Sequence, residues 1–443
     1  MARKRSNRLE VIHPDCAGID IGKSKHYVAV GAHCCDDPVR HFGAFTDELE
    51  ALAQWLCECG VRVLAMESTG VYWIPLYEVL DRVGFEVHLV NPRATKQVSG
   101  RKSDVLDCQW LQQLMSYGLL KGAFRPPDEV CVLRSYVRQR ARLGQDAARS
   151  IQHMEKALSE MNVHLDTVLS DIMGKTGQQI LRAIVNGERD GEVLAEYRDP
   201  RVKADVQTIA RSLRGTWRDE HVFALTQALA RYDFFQAQIQ ACDEHIAATL
   251  ETLSPDEREC EPLAAPARGV RERALQTGWR CALGVDLTAI PTIGTETTLT
   301  IAAKIGPDLS RFASREHFCS WLTLAPGTRI SGDKKLRGKP VKRVNRAGQA
   351  LRMAAVSARN SQSFIGAAHR ARLSRLDTPR AIKATAHQLA RLIYAMLTRG
   401  EEYVDRGIEQ FEQQKRERQL RSLHRKARQL GLSLVDNDQK SAA

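Results

Sequence analysis

The chain has 443 residues, of which 43% are hydrophobic, with a formal net charge of +12 and a pI near 9.2. This length suits two or three domains that each bury a core, and the composition excludes a largely disordered chain. No apolar run reaches the roughly 18–20 residues that span a bilayer, and no apolar signal core follows the basic N-terminus. We therefore expect a cytoplasmic protein whose partner is a polyanion.

Eleven cysteines raise the question of a zinc site. The close pairs are Cys34 with Cys35 and Cys57 with Cys59, and no C-x-x-C occurs. Structural zinc sites usually combine pairs two to four residues apart, and an odd count argues against a disulfide framework. The sequence therefore predicts reduced thiols, partly buried in the cores.

The N-terminal part has the pattern of an α/β domain, predicted over residues 1–125. Residues 16–33 indicate two strands joined by a Gly-Lys-Ser-Lys turn, and a third strand follows in "RHFGAFT". Helices and strands then alternate, ending in a helix with Ser103 or Asp104 as N-cap and Gly118 as stop. The order β-β-β-α-β-α-β-α is typical of an α/β fold with a mixed sheet.

Long helices are predicted next, over residues 126–255. Two runs place apolar residues in steps of three and four, from Ile151 to Ile172 and from Leu225 to Leu253. Such steps form the heptad seam of a coiled coil. The two helices form either an antiparallel hairpin with an ordinary core or a surface that pairs with another subunit, and both interpretations stay open.

The remainder is predicted to be mostly helical. A linker rich in Pro and charge is expected over residues 256–285, a C-terminal domain over 286–400 and a charged helical tail over 401–443. Within the C-terminal domain, "RISGDKKLRGKPVKRVNRAGQ" indicates a hairpin-like loop that leads into a helix.

Four acidic residues are the strongest candidates for chemistry. Asp20 lies inside the first strand, Glu67 ends the fourth strand, and Asp104 and Asp107 share one face of the last helix of this domain. In this layout the first and fourth strands are commonly neighbours, which would bring Asp20 beside Glu67 with the helix over the same point. Each has an ordinary alternative: Asp104 as an N-cap, Asp107 as a solvated helix residue, Glu67 as a strand end. Asp20 is the hardest to explain this way, because a charge inside a buried strand is rare unless paired or metal-bound.

Four neighbouring carboxylates require counter-charge. Two divalent ions about 3.5–4 Å apart would supply it, and such a pair suits phosphodiester chemistry. Because all the proposed ligands are hard oxygens, Mg²⁺ is the expected ion.

Two basic segments are the candidate nucleic-acid contacts, and the first is "NPRATKQVSGRKSD", residues 91–104. The second segment, residues 329–352, has nine basic residues against one acid, Asp333. Such a cluster would bind phosphates and stabilise charge on a pentacoordinate phosphorus. The residues expected to contact nucleic acid are Arg101, Lys102, Arg329, Lys334, Lys335, Arg337, Lys339, Lys342, Arg343 and Arg346.

Several segments resemble insertion-sequence transposases of the one-ten family, relatives of the Piv-type DNA invertases. The segments "GIDIGKSKHYVAV", "AMESTGVYWIPLYEVL" and "VNPRATKQVSGRKSDVLDCQWL" resemble the RuvC-like DEDD domain of that family. The segments "AIPTIGTETTLTIAAKIG" and "FCSWLTLAPGTRISGDKKLRGKPVKRVNRAGQALRMAAVSA" resemble its C-terminal transposase domain. The resemblance covers nearly the whole chain, with the two blocks in the family's order. One departure is Thr292, where the family often has Gly.

The resemblance implies an RNase H-like (RuvC-like) N-terminal domain with Asp20, Glu67, Asp104 and Asp107 as its metal-binding tetrad. It also implies Ser331 as a catalytic serine that forms a covalent phosphoserine link with DNA. Donor and target DNA would be recombined under the guidance of a bridge RNA encoded by the element. Family members work as multimers, so a homo-oligomer (a dimer or tetramer) is implied, in which one subunit's tetrad and another's serine complete a site.

From the residues alone, the role of Ser331 stays open. A serine hydroxyl needs a base or metal to become a nucleophile, and no His stands nearby in the sequence. The alternative is an ordinary turn residue before Gly332. Ser357, Ser361 and Ser363 are rival hydroxyls, but their segment predicts packing roles.

The leading hypothesis is a bacterial DNA transposase that moves its own insertion sequence on the nucleoid. Two enzymatic alternatives remain: a site-specific invertase with the same chemistry, and a Holliday-junction-type nuclease that uses the carboxylates alone. A nucleic-acid-binding protein with a decayed RuvC-like core is the non-enzymatic alternative. The retained tetrad argues against decay, because a defunct site has no reason to keep a charge inside a strand.

Overall fold

In the computed structural model the chain divides into two compact units, residues 1–125 and 126–443. The structure describes residues 10–68, 70–90, 103–120, 122–123, 125–254, 270–326, 328–331, 334–337, 345–400, 413, 416–417 and 419–432. Within these ranges, no helix combines the length and the apolar character needed to cross a membrane.

The first unit is built on a five-stranded mixed sheet. Its strands are β1 (Cys16–Ile21), β2 (Lys25–Val30), β3 (Val39–Gly43), β4 (Val63–Glu67) and β5 (Glu86–Val90). The spatial order is β3-β2-β1-β4-β5; β1–β2 and β2–β3 pair antiparallel, whereas β1–β4 and β4–β5 pair parallel. The predicted mixed sheet is confirmed, and so is the expectation that the first and fourth strands are neighbours.

Helices cover both faces of this sheet. They are α1 (Thr46–Glu58), α2 (Trp73–Val83) and α3 (Asp104–Ser116). On one face, Ile19 and Leu64 share a core with residues of α1 and α2 such as Leu52. On the other, Ala65 packs with Leu111 of α3. Because side chains alternate along a strand, each strand supplies both cores, and every second residue of β1 faces α3.

The second unit begins with helices only. They are α4 (Asp128–Glu160), α5 (Leu165–Val168), α6 (Lys175–Val185), α7 (Gly191–Ala195), α8 (Val206–Ser212) and α9 (Asp219–Leu253). The long helices α4 and α9 run antiparallel, because Tyr136 stacks on His245 at 5.0 Å between ring centroids while Glu160 meets His221 at 3.3 Å. The short helices α5 to α8 form a small cluster at the end of this hairpin, with a core of their own.

The apolar run from Ile151 to Ile172 is not one helical seam. Helix α4 ends at Glu160, and Asn162 has φ 57, a conformation that cannot continue a right-handed helix. Leu165 and Ile172 are instead buried in the core of the small cluster. The apolar spacing predicts a single helix because the residues after Glu160 are also apolar at similar spacing, although they leave the hairpin and enter the core of the small cluster.

The rest of the second unit is mostly helical, as predicted. Its elements are α10 (Val270–Leu283), α11 (Thr295–Ile305), α12 (Arg315–Trp321), β6 (Thr328–Ser331), β7 (Lys334–Arg337), α13 (Arg346–Ser357), α14 (Phe364–Leu373) and α15 (Thr378–Arg399). One core joins Leu133 and Ile246 of the hairpin to Phe318 and Leu389. The open end of the hairpin is therefore part of this domain. Of the predicted helical tail, residues 419–429 are described and are helical.

Two predictions for this region need correction. The predicted linker, residues 256–285, contains α10, in which Leu275 and Trp279 are buried, so the segment from Leu275 onward belongs to the core. The linker prediction rested on the Pro and charge near residue 260 and overlooked the apolar residues after it. Nine described cysteines are free, but Cys281 is disulfide-bonded, so the prediction of reduced thiols fails there.

Thr292, the residue that stands where the resembled family often has Gly, adopts φ 76. This left-handed conformation costs a β-branched residue about 1–2 kcal/mol, and the buried Thr292 Oγ1 has no hydrogen-bond partner among the described residues. We expect Thr292→Gly to raise the free energy of unfolding by about 1 kcal/mol, measured by urea denaturation.

Thr323 is the matched control, because it also has a positive φ (62) but accepts a hydrogen bond at Oγ1 from Arg352 at 3.2 Å. Thr323→Gly loses that bond, so we expect no gain in stability. No gain from Thr292→Gly would show that the Thr292 backbone is not strained.

Candidate functional site

Asp20 and Glu67 lie side by side at the carboxyl ends of two parallel strands. The register of β1 and β4 pairs Ile19 with Met66, and Asp20 and Glu67 are the next residue on each strand. Ile19 and Met66 point to the core shared with α1 and α2, so the alternation turns Asp20 and Glu67 toward the α3 face. Both carboxylates are partly buried. Ser68 fixes the end of β4 by donating from its backbone nitrogen and hydroxyl to the Val90 carbonyl, at 3.1 and 3.2 Å.

Helix α3 approaches β1 closely because residue 18 is glycine. A Cβ built on Gly18 would lie 2.9 Å from the Cα of Gln112, and closer still to the Gln112 nitrogen and the Cys108 carbonyl oxygen. Such a contact is closer than real Cβ atoms allow. The small residue two positions before Asp20 therefore sets the distance between the strand and the acidic helix. Sequence reasoning missed Gly18, although "AGID" displays it.

Asp104 and Asp107 occupy the first turn of α3 and are exposed. Ser103 is the N-cap: its hydroxyl accepts a hydrogen bond from the Leu106 backbone nitrogen at 3.3 Å. The alternative interpretation of Asp104 as the N-cap is therefore wrong, and its carboxylate has no capping role. The positive end of the helix dipole stabilises negative charge at both positions.

The electrostatics show that the four carboxylates share one environment. Burial, and after it the negative charges of Asp104, Glu67 and Asp107 in that order, together raise the pKa of Asp20 to about 6. Burial and the nearby Asp20 also raise the pKa of the Cys108 thiol on α3 to about 12. The fold thus brings together four acids from three segments that are far apart in the sequence.

The chemistry of this cluster fits a divalent cation. All four candidate ligands are hard carboxylate oxygens. Burial and then the neighbouring negative charges raise the Asp20 pKa, and a bound cation would offset both effects. Among the described residues, no three of the four side chains bring ligand atoms within 4.8 Å of one another. Like charges repel, so the side chains share a face while staying apart.

Ser331 belongs to the second unit and ends strand β6. The β6–β7 ribbon pairs Ser331 with Lys334 and Arg329 with Leu336, so Ser331 and Lys334 form the last pair of the ribbon. The antiparallel strands of the predicted hairpin and the helix from Arg346 are confirmed, while residues 332–333 and 338–344 lie outside the described residues. Asn345 fastens the start of that helix, α13, by donating from Nδ2 to the Trp321 carbonyl at 3.0 Å.

The rival serines have structural partners. Ser357 donates to the Met353 carbonyl at 3.4 Å, within its own helix. Ser361 and Ser363 bond to each other at 2.8 Å, and Ser363 caps α14 by accepting from the Gly366 nitrogen at 3.4 Å. These contacts agree with the packing roles that the sequence predicts for all three.

The predicted nucleic-acid contacts are only partly described. Arg329 lies in β6, and Arg346 is exposed at the start of α13. Strand β7 contains Lys334, Lys335 and Arg337. The predicted contacts outside the described residues are Arg101, Lys102, Lys339, Lys342 and Arg343.

Arg138 of α4 is a basic residue that sequence reasoning missed. Burial, and then the positive charge of Arg346, lower its pKa, so these two guanidinium groups lie near each other. Two neighbouring cations that repel each other are suited to an anionic ligand such as a phosphate. Arg138 and Arg346 are about 200 residues apart, and the sequence contains no pattern that predicts their proximity.

We expect Gly18→Ala to damage the site through backbone geometry alone. The added methyl group must push α3 away from β1, which overpacks the core by about 1–3 kcal/mol and displaces Asp104 and Asp107 from Asp20. Urea unfolding and a DNA strand-transfer assay should both show a loss.

The control is Gly144→Ala, since a Cβ on this glycine of α4 meets nothing within 4 Å. Alanine favours helix there, so we expect unchanged activity and up to about 1 kcal/mol of added stability. Wild-type stability and activity in Gly18→Ala would mean that the close strand–helix approach is unnecessary.

Two transposase families match the chain. Residues 17–163 match the family DEDD_Tnp_IS110, described as a transposase, and residues 286–370 match the transposase IS116/IS110/IS902 family. The first match contains the four acidic residues and the second contains Ser331. Together they cover more than half of the chain. No curated protein matches the chain.

Proposed function

This chain belongs to the IS110 family of DEDD transposases, enzymes of DNA recombination, and on that premise we propose how it acts. Asp20, Glu67, Asp104 and Asp107 bind Mg²⁺, Ser331 attacks DNA, and a bridge RNA selects the DNA partners. The enzyme thereby moves its own insertion sequence on the bacterial nucleoid. The observation that carries this proposal is the environment of Asp20. Burial and three neighbouring acids make a negative charge on Asp20 unfavourable unless a cation is present.

The tetrad would hold one or two Mg²⁺ ions, which supply positive charge to the attacking and departing oxygens of a phosphodiester. Asp20 and Glu67 are positioned by paired strands, so they form the fixed part of the ligand set. Asp104 and Asp107 stand on a helix whose distance from the sheet is set by Gly18. Their exposure leaves an open side through which DNA can reach the carboxylates.

Ser331 would be the nucleophile. Its Oγ forms a bond to the DNA phosphorus as one P–O ester bond breaks, the serine proton passes to a base, and the departing strand ends in a hydroxyl. Because the phosphoserine ester keeps the energy of the broken bond, a hydroxyl from the partner DNA can attack it and release the serine. Arg329, Lys334 and Arg346 would neutralise the phosphate during both steps.

Ser331 and the tetrad come from different units, so we propose that a complete site combines both units, from different subunits of a dimer or tetramer. The α4–α9 hairpin is the proposed coiled-coil element of this assembly. Two phenylalanines of α9 support this role, Phe223 and Phe234, whose side chains are 65% and 58% exposed. Large exposed apolar side chains on a long helix suit a protein–protein contact.

A covalent-trapping experiment tests the mechanism. DNA carrying the element's ends is labelled, incubated with the protein and Mg²⁺, and denatured with detergent. We expect labelled DNA that migrates with the protein and is released by protease. Nicked DNA without attached protein would support the Holliday-junction-type nuclease and contradict the serine mechanism.

Sequencing the RNA that co-purifies with the protein tests the guide. We expect one discrete structured species transcribed from beside the protein's own gene. If recombination proceeds with ribonuclease-treated protein at an undiminished rate, the bridge RNA has no role. Flanking element ends in the genome support a transposase, whereas a fixed invertible segment supports the invertase alternative.

A further inference from the structure

A second group of potential metal ligands lies in the first unit at the opposite end of β1 from Asp20. Asp15 directly precedes β1, while His33 and Cys34 follow β2. Since β1 and β2 are antiparallel and Ala17 pairs with Val30, these two segments meet at one end of the sheet. Asp15 and Asp20 are five residues apart, or about 16 Å along an extended strand, so this group is separate from the tetrad.

The ligand atoms of the three side chains converge. The His33 Nε2 atom lies 3.2 Å from the Asp15 Oδ1 and 3.6 Å from the Cys34 Sγ. All three atoms lie within 4.8 Å of one another. A tetrahedral Zn²⁺ with Zn–N and Zn–O near 2.0–2.1 Å and Zn–S near 2.3 Å separates its N and O ligands by about 3.3 Å and its N and S ligands by about 3.6 Å. The observed separations therefore match those around a zinc ion.

The chemistry of the three ligands also distinguishes them from the tetrad. A thiolate, an imidazole and a carboxylate together suit Zn²⁺, a borderline-soft ion, whereas the all-carboxylate tetrad suits Mg²⁺. Cys34 is a free thiol that packs against the core shared with α1 and α2, so one ligand is already held in place. Asp15 and His33 have 49% and 58% exposed side chains, which leaves an ion access from solvent.

We propose that Asp15, His33 and Cys34 form a Zn²⁺ site with water as the fourth ligand. Binding replaces the Cys34 thiol proton with the metal and releases that proton to solvent. The ion joins the residue before β1 to the connection after β2 and so fastens this end of the sheet. The alternative is an exposed His33–Asp15 ion pair beside an unrelated thiol, which contributes little to stability.

Cobalt is the probe, because Co²⁺ occupies zinc sites and a thiolate ligand gives it a near-ultraviolet charge-transfer absorption. The full-length protein is stripped with chelator, dialysed and titrated with Co²⁺. We expect one equivalent to produce the charge-transfer band and one equivalent of Zn²⁺ to remove it. Cys34→Ser should abolish the band, and His33→Gln should weaken Co²⁺ binding at least 10-fold.

Two variants make the result specific. Cys57→Ser removes an exposed thiol of α1 outside the group, and Asp20→Asn changes the tetrad; both should keep the band at full amplitude. Circular dichroism shows whether each variant is folded. A band that survives Cys34→Ser in a folded protein, or no band in the wild-type protein, overturns the zinc proposal and leaves the proposed recombination mechanism untouched.

Discussion

Replacing Ser331 by alanine is expected to abolish recombination and the covalent protein–DNA species together. The substitution removes one oxygen at the last residue pair of the β6–β7 ribbon, and the backbone pairing with Lys334 does not require that oxygen. Loss of an enzyme's nucleophile typically lowers the rate by at least about 10⁴-fold. Recombination is measured on a plasmid pair, and the covalent species by protease-sensitive retention of labelled DNA.

The control for this experiment is Ser357→Ala, since among the described residues the Ser357 hydroxyl bonds to the Met353 carbonyl of its own helix. This variant should recombine DNA at the wild-type rate. DNA binding by Ser331→Ala, measured by mobility shift, should also remain, which separates lost chemistry from lost folding. Full recombination by Ser331→Ala would remove the serine from the mechanism and favour hydrolysis by the carboxylates alone.

Replacing Asp20 by asparagine is expected to stabilise the metal-free protein while abolishing its activity. The pKa of Asp20 is raised to about 6, so the folded state disfavours its ionised form. Below about pH 3 the carboxyl group is protonated in the folded and unfolded states, and no penalty exists. The penalty develops as the pH rises from about 4 to 6, where the unfolded state ionises and the folded state does not, and it stays at roughly 2–3 kcal/mol from there to neutral pH.

Asparagine carries no charge, so Asp20→Asn avoids this penalty. At pH 7.5 without metal, the variant should unfold at higher urea concentration than the wild-type protein, and the difference should vanish below about pH 3. Adding Mg²⁺ should stabilise the wild-type protein more than the variant. Strand transfer by the variant should fall by about 10³-fold or more, because a ligand of the catalytic ion is lost.

An exposed aspartate in the connection between β2 and β3 provides the comparison: Asp36→Asn should leave stability, its Mg²⁺ response and activity unchanged. The proposed ligand role of Asp20 fails if Asp20→Asn is less stable than the wild-type protein at neutral pH without metal. It also fails if both proteins respond equally to Mg²⁺.

The first unit could be predicted from the sequence because its signals are local. The alternation of β-branched and small residues predicts β1 and β2. Gly84 ends α2 in a left-handed conformation, and Ser103 caps α3. The neighbouring positions of β1 and β4 followed from the order of elements. Asp20 stood out because a charge interrupts an apolar strand.

Other features could not be predicted, because they depend on contacts between distant residues. The end of α4 at Glu160 depends on the turn at Asn162, in a segment whose apolar spacing still imitates a helix. The neighbourhood of Arg138 and Arg346 exists only after α4 joins the C-terminal core. The convergence of Asp15 with His33 depends on antiparallel pairing, whereas zinc motifs in sequences are recognised by regular cysteine spacing.

The four acids lie in the first unit and Ser331 in the second, and this separation has a consequence for incomplete synthesis of the protein. A ribosome that has made the first 125 residues has supplied all four acids but no serine nucleophile. Under the proposed serine mechanism, any nonsense mutation upstream of residue 331 yields a fragment that lacks the nucleophile and cannot form a covalent link with DNA. Under that mechanism, incompletely translated protein would not become attached to the host chromosome.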